Sequence, residues 1–451
     1  MNRVINTEIS TIYVNYIKRL LVTFLMKIFF VSFLFSAMCF AQSITNSIGG
    51  LYGSQARASV ARDNTVTSIE TNPAGLANIE AESISSGSSS YSLMNSSGGE
   101  FSYQSLASSS NHVATVLSSE VFNYGFMIHN SATTNISNEK SEDINLASSS
   151  PGFSDQRSSS FGNSYSYLFA LAPKDSNYGF SFEIRNSSFK ADTTNSFYTY
   201  SESSPDARVN NMLNFGYNFN IFDFKLNFGY QKKYNDYRYG LKLESPGYII
   251  KTENKLNYNF MMISPDGAND VYVTTIRENT LLKPKEKVSG PLELDLGIAK
   301  IYTLWEIEAN IKFRSSYRSI DYTNDKKGFS SLWISQSDTE TQNNSDDVFY
   351  LESGYQKANY SLSLGALQHK NKNLKFGYGV SYSPTYLKNY LGQNVLTITS
   401  GISKGYKNFW GHYSIGYVKG FDAGGNENSN GESIQVTFEQ YSFIFSGSYL
   451  F

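Results

Sequence analysis

The residues best equipped for reaction chemistry are few. The chain has four histidines, His112, His129, His369 and His412, and one cysteine, Cys39. A hydrolase working through a nucleophile needs a histidine with a serine or aspartate partner in reach and a third group to orient it. No Ser/His motif surrounds any of the four. His369 sits in a short polar run, HKNKN, and His412 alternates with Gly411 and Tyr413. Spaced metal-ligand clusters and glycine-rich phosphate loops are missing, so no catalytic residue, metal ligand or cofactor is assigned. The residues that can act on a ligand are apolar ones in polar surroundings: Phe329, Leu332, Trp333 and Ile334, and Met261, Met262 and Ile263. Each CH₂ of a ligand buried on such groups is worth about 0.8 kcal/mol, and methionine adapts to flexible apolar shapes. They are candidate ligand contacts. The plain alternative is that they pack the connections they sit in against one another.

The elements that carry these residues read as strands. The chain is rich in Tyr (34) and Phe (32) and poor in Pro (9), a composition suited to pleated, half-buried surfaces joined by Asn-, Ser- and Gly-containing turns. Apolar residues recur with period two in Phe122, Tyr124, Phe126 and Ile128; in Tyr178, Phe180, Phe182 and Ile184; in Trp305, Ile307, Ala309 and Ile311; and in Tyr413, Ile415 and Tyr417. Period two with one apolar face is the strand signature. Mean hydropathy is −0.35, which does not exclude a membrane protein, because a transmembrane barrel turns only alternate residues toward lipid.

Short and long connections alternate. Short turns are expected near 118–121, 173–177, 220–223, 300–303, 369–373 and 404–408, and long polar connections near 131–160, 188–208, 236–290, 319–350 and 420–433. Outer-membrane barrels show this asymmetry between their two ends, and a soluble sandwich has no reason for it. Counting between the turns gives about 14 strands, two of them from 209–219 and 222–235. The last strand places Tyr441, Phe443, Phe445, Tyr449 and Phe451 on one face. Its aromatic end, Tyr449 and Phe451, looks like the signal read by the barrel-assembly machinery.

The N-terminus reads as an address. Lys27, an apolar run over 28–35 and small residues Cys39 and Ala41 before Gln42 form a secretory signal, so residues 1–41 are expected to be removed, with Met26 as the effective start. The mature chain then lacks cysteine, as suits passage through an oxidising periplasm. It would carry 33 basic and 38 acidic residues, which gives no reason to propose nucleic acid as a partner. The expected architecture is an all-β transmembrane antiparallel barrel over 82–451, preceded by a plug over 42–81.

That plug carries the most specific signal. A glycine-rich opening (Gly49, Gly50, Gly53) leads into ARASVARDN with Ala56, Ala58, Ala61 and Asp63, then NPAGLA over Asn72, Pro73, Ala74, Gly75, Leu76 and Ala77. This pattern of about 30 residues resembles the FadL-type family of outer-membrane long-chain fatty-acid and hydrophobic-compound transporters. The resemblance implies a 14-strand barrel blocked by an N-terminal hatch, with Asn72–Gly75 as the hatch turn. It implies uptake of fatty acids or other hydrophobic molecules across the outer membrane of a Gram-negative bacterium, with the lipid bilayer and the cargo as partners. Relatives of that family that serve protein-secretion machinery leave a second reading: a barrel with secretion-system partners and no cargo of its own.

Overall fold

The structure is a computed structural model and describes residues 54–56, 58–79, 83–98, 101–145, 151–201, 204–266, 270–284, 288–318, 322–324, 329–335, 341–345, 355–356, 358–385, 387–388, 393–422 and 436–450. Fourteen strands form one closed antiparallel circuit: β1 (Ser83–Gly98), β2 (Phe101–Ser118), β3 (Phe122–Asn145), β4 (Pro151–Pro173), β5 (Tyr178–Ser201), β6 (Ser204–Tyr234), β7 (Tyr237–Glu244), β8 (Glu293–Ile301), β9 (Trp305–Arg314), β10 (Asn359–Asn371), β11 (Leu374–Thr385), β12 (Gln393–Tyr406), β13 (Phe409–Asp422) and β14 (Val436–Leu450). Pairing of β1 with β14, from Ile84↔Leu450 to Gly98↔Val436, closes the barrel and satisfies what would be its two terminal edges.

The period-two pattern sorts the two faces. Phe126, Ile128, Tyr167, Phe169, Phe180 and Phe182 are exposed on the outside, as are Tyr413, Ile415, Tyr441, Phe443 and Phe445. Cross-strand rings on this surface meet at 5.0 Å (Phe126–Phe169), 5.3 Å (Phe180–Phe228) and 5.1 Å (Tyr417–Tyr441). A continuous aromatic surface has no solvent rationale in water and fits the hydrocarbon layer of a bilayer. The alternate residues face inward and are small or polar over much of the wall, with Val116, Met127 and Leu168 of β2–β4 forming an apolar patch.

The barrel has the expected number of strands for partly offsetting reasons. The stretch expected as two strands, 209–219 and 222–235, is one continuous strand, β6. Its apolar parity switches between Phe219 and Phe224, and Asp223 lies between them. Asp223 is no turn residue: its carboxylate is buried and receives Arg185 at 2.6 Å. The missing strand is β7, which follows the tight Asn235–Asp236 turn, where Asn235 has φ 53°. The stretches expected as long polar connections are largely paired strand. β3 and β4 stay paired out to Asn145↔Pro151, and β5 with β6 to Ser201↔Ser204. Between β7 and β8, Tyr248–Asp266 and Asp270–Pro284 form a hairpin seated on the far half of β6, and Phe329–Ser335 pairs with it. Sequence polarity there marked strands outside an apolar layer rather than loops. Residues 423–435 lie outside the described residues.

One pair of neighbours separates. β2 and β3 pair over seven rungs, from Ser118↔Asn123 to His112↔His129. Beyond that, among the described residues, β2 pairs only with β1, and β3 only with β4. Both strands carry a register shift at this level, which leaves Asn111 of β2 and Ser131 of β3 without a rung. A bulge bends its strand and re-aims it, and two at one height turn the hairpins apart. Seven rungs at about 3.4 Å, on strands tilted some 40°, place the fork roughly 18 Å from the short-turn end, within an apolar band about 25 Å tall.

Candidate functional site

The barrel interior holds residues 54–56 and 58–79. Asp63 organises their middle. Its carboxylate accepts from Thr65 N (2.9 Å), Thr65 Oγ1 (2.7 Å), Thr67 Oγ1 (2.8 Å) and Thr71 Oγ1 (2.5 Å). Burial pushes its pKa up, and these four bonds pull the other way. A one-turn helix, Ser68–Thr71, leads into a 3₁₀ turn, Pro73–Asn78. Asn72 joins them with Oδ1 accepting from Ala74 N at 3.2 Å, and Pro73 stands where no N–H is required. The Asn72 amide points the other way, to Val60 O (2.8 Å), Tyr230 O (3.2 Å) and Leu241 O (3.2 Å). One side chain thus ties the turn, the preceding loop and the β6–β7 seam.

The wall supplies matching groups around the circumference. Arg62, fully buried, sends Nε to Glu308 Oε2 at 2.7 Å on β9, Nη1 toward Glu306 at 3.4 Å, and Nη2 to Gln55 Oε1 and Ala58 O. Ala61 N donates to Glu308 Oε1 at 2.8 Å. Gln231 on β6 donates to Val60 O and Asp63 O at 3.0 and 3.1 Å. Asn123 on β3 donates to Leu76 O and Ile79 O at 2.6 and 3.1 Å. Thr399 on β12 accepts from Ala56 N and donates to Ser54 O. Val66, Ile69, Leu76, Ala77 and Ile79 bury against Ala114, Val116, Met127, Leu168, Ala170 and Ala172 of β2–β4.

Close approach depends on inward glycines. A Cβ at Gly179 would overlap the Pro73 carbonyl, and one at Gly240 the Val60 carbonyl. Gly125, Gly229, Gly365 and Gly379 meet Ile69, Asn72, Ala58 and Gln55 in the same way. These positions span β3 to β11, so the segment is enclosed by the wall on all sides.

Beside the segment, the inner faces of β5–β9 carry a ladder of opposite charges. Arg185 forks onto Asp223 at 3.2 and 2.6 Å. Glu244 takes Lys225 at 2.5 Å and Lys242 at 3.0 Å. Glu293 takes Lys312 at 2.6 Å and Arg314 at 2.9 Å, and Asp295 lies 3.4 Å from Lys312. Beside β9, from its paired neighbour β10 on to β12, the wall is hydroxyl-rich, with Ser361, Ser363, Ser381, Ser383, Thr397 and Thr399. A cavity of about 100 Å³ lies against this stretch of wall, lined by residues of β9–β14 together with Ala56 and Val60 of the segment. His129 Nδ1 stands at the fork, 2.9 Å from Glu70 of the segment.

The structure places Asn72, Pro73, Ala74 and Gly75 at the centre of this interior, all buried. Tyr449 lies exposed on the outer face, and Phe451 lies outside the described residues. Phe329, Leu332, Trp333 and Ile334 lie in the strand 329–335, and Met261, Met262 and Ile263 in the strand 248–266. Their side chains are outside the described residues, so the structure does not bring them together with the segment. Sequence reading missed Glu308, Asn123, Gln231 and Thr399. The signal was present for Glu308: WEIEANIKFR alternates apolar residues with Glu306, Glu308, Asn310, Lys312 and Arg314, and charges that regular on a strand face a polar interior. It also missed two Ser–His pairs, Ser86 Oγ with His112 Nε2 at 3.0 Å and Ser403 Oγ with His412 Nδ1 at 2.8 Å. Both are buried cross-strand bonds of the wall.

No family model matches this sequence, and no curated protein matches it. Solved structures do. The Pseudomonas putida toluene transporter TodX superposes with a TM-score of 0.55 at 14% identity, over 90% of this chain and 99% of that one. The deltaS2 mutant of TodX, described as a monoaromatic hydrocarbon channel, gives 0.52 at 15% identity over 91% and 98%. A Pseudomonas aeruginosa FadL homologue gives 0.51 at 10% identity over 87% and 96%. At such identities the likeness is one of fold, and the fold is that of the FadL-type barrels.

Proposed function

We propose that this chain is an outer-membrane channel for hydrophobic compounds, closed by its own N-terminal segment and discharging cargo sideways into the bilayer. The observation that carries the proposal is the fork between β2 and β3, at the level where residues 66–79 pack against β2–β4. A hydrophobic molecule gains nothing by entering the water beyond a pore, whereas a gap in the wall leads it from the lumen to hydrocarbon. Each CH₂ that makes this passage is stabilised by about 0.8 kcal/mol. Transport by the neighbours of the same fold, toluene for TodX, supports the substrate class.

In this reading residues 42–81 act as the hatch and Asn72–Gly75 is its turn. Long-chain fatty acids belong among the candidate cargoes, and the strands 248–266 and 329–335 carry the candidate first contacts, Met261–Ile263 and Phe329–Ile334. The signal over residues 1–41 directs export in a Gram-negative cell, and Tyr449 and Phe451 serve recognition by the assembly machinery. The test is uptake of a labelled long-chain compound by cells with the protein, without it, and with Asn72, Pro73 and Ala74 replaced by Ser. Uptake that needs the protein and changes with the triple replacement supports the reading. Uptake indifferent to the protein would sink it and leave a barrel that works through partner proteins.

A further inference from the structure

We infer that the luminal cavity lined by β9–β14 binds a neutral hydrogen-bonding group, so that among the candidate cargoes the barrel prefers an amphiphile with an uncharged polar head over a fatty acid. This rests on the channel reading above. On the β9 side, Lys312 and Arg314 are fully engaged by Glu293 and Asp295. Two cations face two anions, so the wall is already balanced. A carboxylate entering here would be a buried charge without a free partner, and burying such a charge is strongly unfavourable.

On the neighbouring strands β10–β12 stand polar groups that find no hydrogen-bond partner among the described residues. They are Ser383 Oγ, Thr397 Oγ1 and both amide atoms of Asn359. Their residues are only 6, 7 and 7% exposed. Ser383 and Thr397 line the cavity. Asn359 lies two residues from the lining residue Ser361 on the same inward face of β10, on the rung of Arg314. Hydroxyls and amides both donate and accept, so together they match a head that does both, an alcohol or an amide. A plain hydrocarbon would leave all of them unsatisfied, which is costly for buried polar atoms. The cavity volume of about 100 Å³ admits a small head of that kind. The opposite inner wall, Ala114, Val116, Met127 and Leu168 toward the fork, is apolar, so the interior is two-sided as an amphiphile is.

The test uses purified full-length barrel and three tritiated probes of equal chain length: 1-dodecanol, laurate and dodecane. Dodecanol is expected to bind at least tenfold tighter than either of the others. The double substitution Ser383→Ala/Thr397→Val should weaken dodecanol about tenfold, the loss of two ordinary hydrogen bonds, and tighten dodecane, which no longer leaves the two hydroxyls unsatisfied. Asn359→Leu, a separate variant, should weaken dodecanol in the same direction; heat-modifiable migration on a gel checks that each barrel is folded. Laurate binding as tightly as dodecanol, or a double variant that shifts all three probes alike, would overturn the inference while leaving a hydrophobic channel in place. Failure of all three probes to bind would remove the channel reading together with it.

Discussion

Removing the charge of Glu308 should open the barrel. Arg62 and Glu308 are both fully buried and 2.7 Å apart. Glu308→Gln keeps an acceptor for Ala61 N and deletes the charge that balances Arg62. Breaking a buried pair from one side costs about 3–5 kcal/mol. Glu306 remains 3.4 Å from the Arg62 guanidinium, which favours the lower end of that range. About 3 kcal/mol is roughly a 100-fold shift from the docked toward the displaced segment, at 1.4 kcal/mol per decade. The assay is single-channel recording in planar bilayers, where open events should become about 100 times more frequent than in the unaltered protein. Arg62→Met/Glu308→Leu removes both charges and should return most of the closed behaviour, because an apolar pair of similar volume is often no less stable than the ion pair. It loses the acceptor for Ala61 N, so the return is incomplete. If Glu308→Gln conducts no more than the unaltered barrel, or the double variant opens further than the single one, the ion pair is not what holds the segment.

Asn72→Asp should loosen the segment more than Asn72→Ala. Alanine loses the cap and the donated bonds, at about 2 kcal/mol, whereas aspartate presents a buried carboxylate to the carbonyls of Val60, Tyr230 and Leu241; limited proteolysis of the segment gives the order. Gly179→Val and Gly240→Val each wedge a side chain against a segment carbonyl, an overpacking of about 1–3 kcal/mol, and should raise conductance without any change in charge. Asn123→Leu removes the donors to Leu76 O and Ile79 O, leaving Leu76 O only the bond from Ile79 N and taking the wall's donor from Ile79 O; hydrogen exchange at residues 76–79 should quicken while the β-strands stay protected.

Period two made the barrel legible, since each strand must offer one apolar face. The count of 14 survived two errors because both fell beside β6. A parity switch at Asp223 was read as a turn, and the real turn, Asn235–Asp236, opens a strand of only eight residues. The motif around Asn72 announced a special turn. The partners of the stretch before it were not readable, because Gln231, Glu308 and Thr399 lie between 168 and 345 residues from the groups they bind, and only barrel closure brings them near. The fork was equally hidden. A one-residue bulge leaves no mark in composition, and its effect shows only where two strands that neighbour each other cease to pair.

The central claim is sideways release through the β2–β3 fork, and covalent closure of that fork tests it most directly. Asn111→Cys and Asn130→Cys, in a chain with its single natural cysteine Cys39 removed, can be joined by a short bis-maleimide after folding. A control pair, Leu117→Cys with Tyr124→Cys, lies on a rung that is already closed. Transfer of a labelled hydrophobic probe through the protein into the bilayer of reconstituted vesicles should fall by at least tenfold when the fork is joined and stay unchanged when the control rung is. Equal transfer in both would contradict lateral release and send the cargo along the barrel axis.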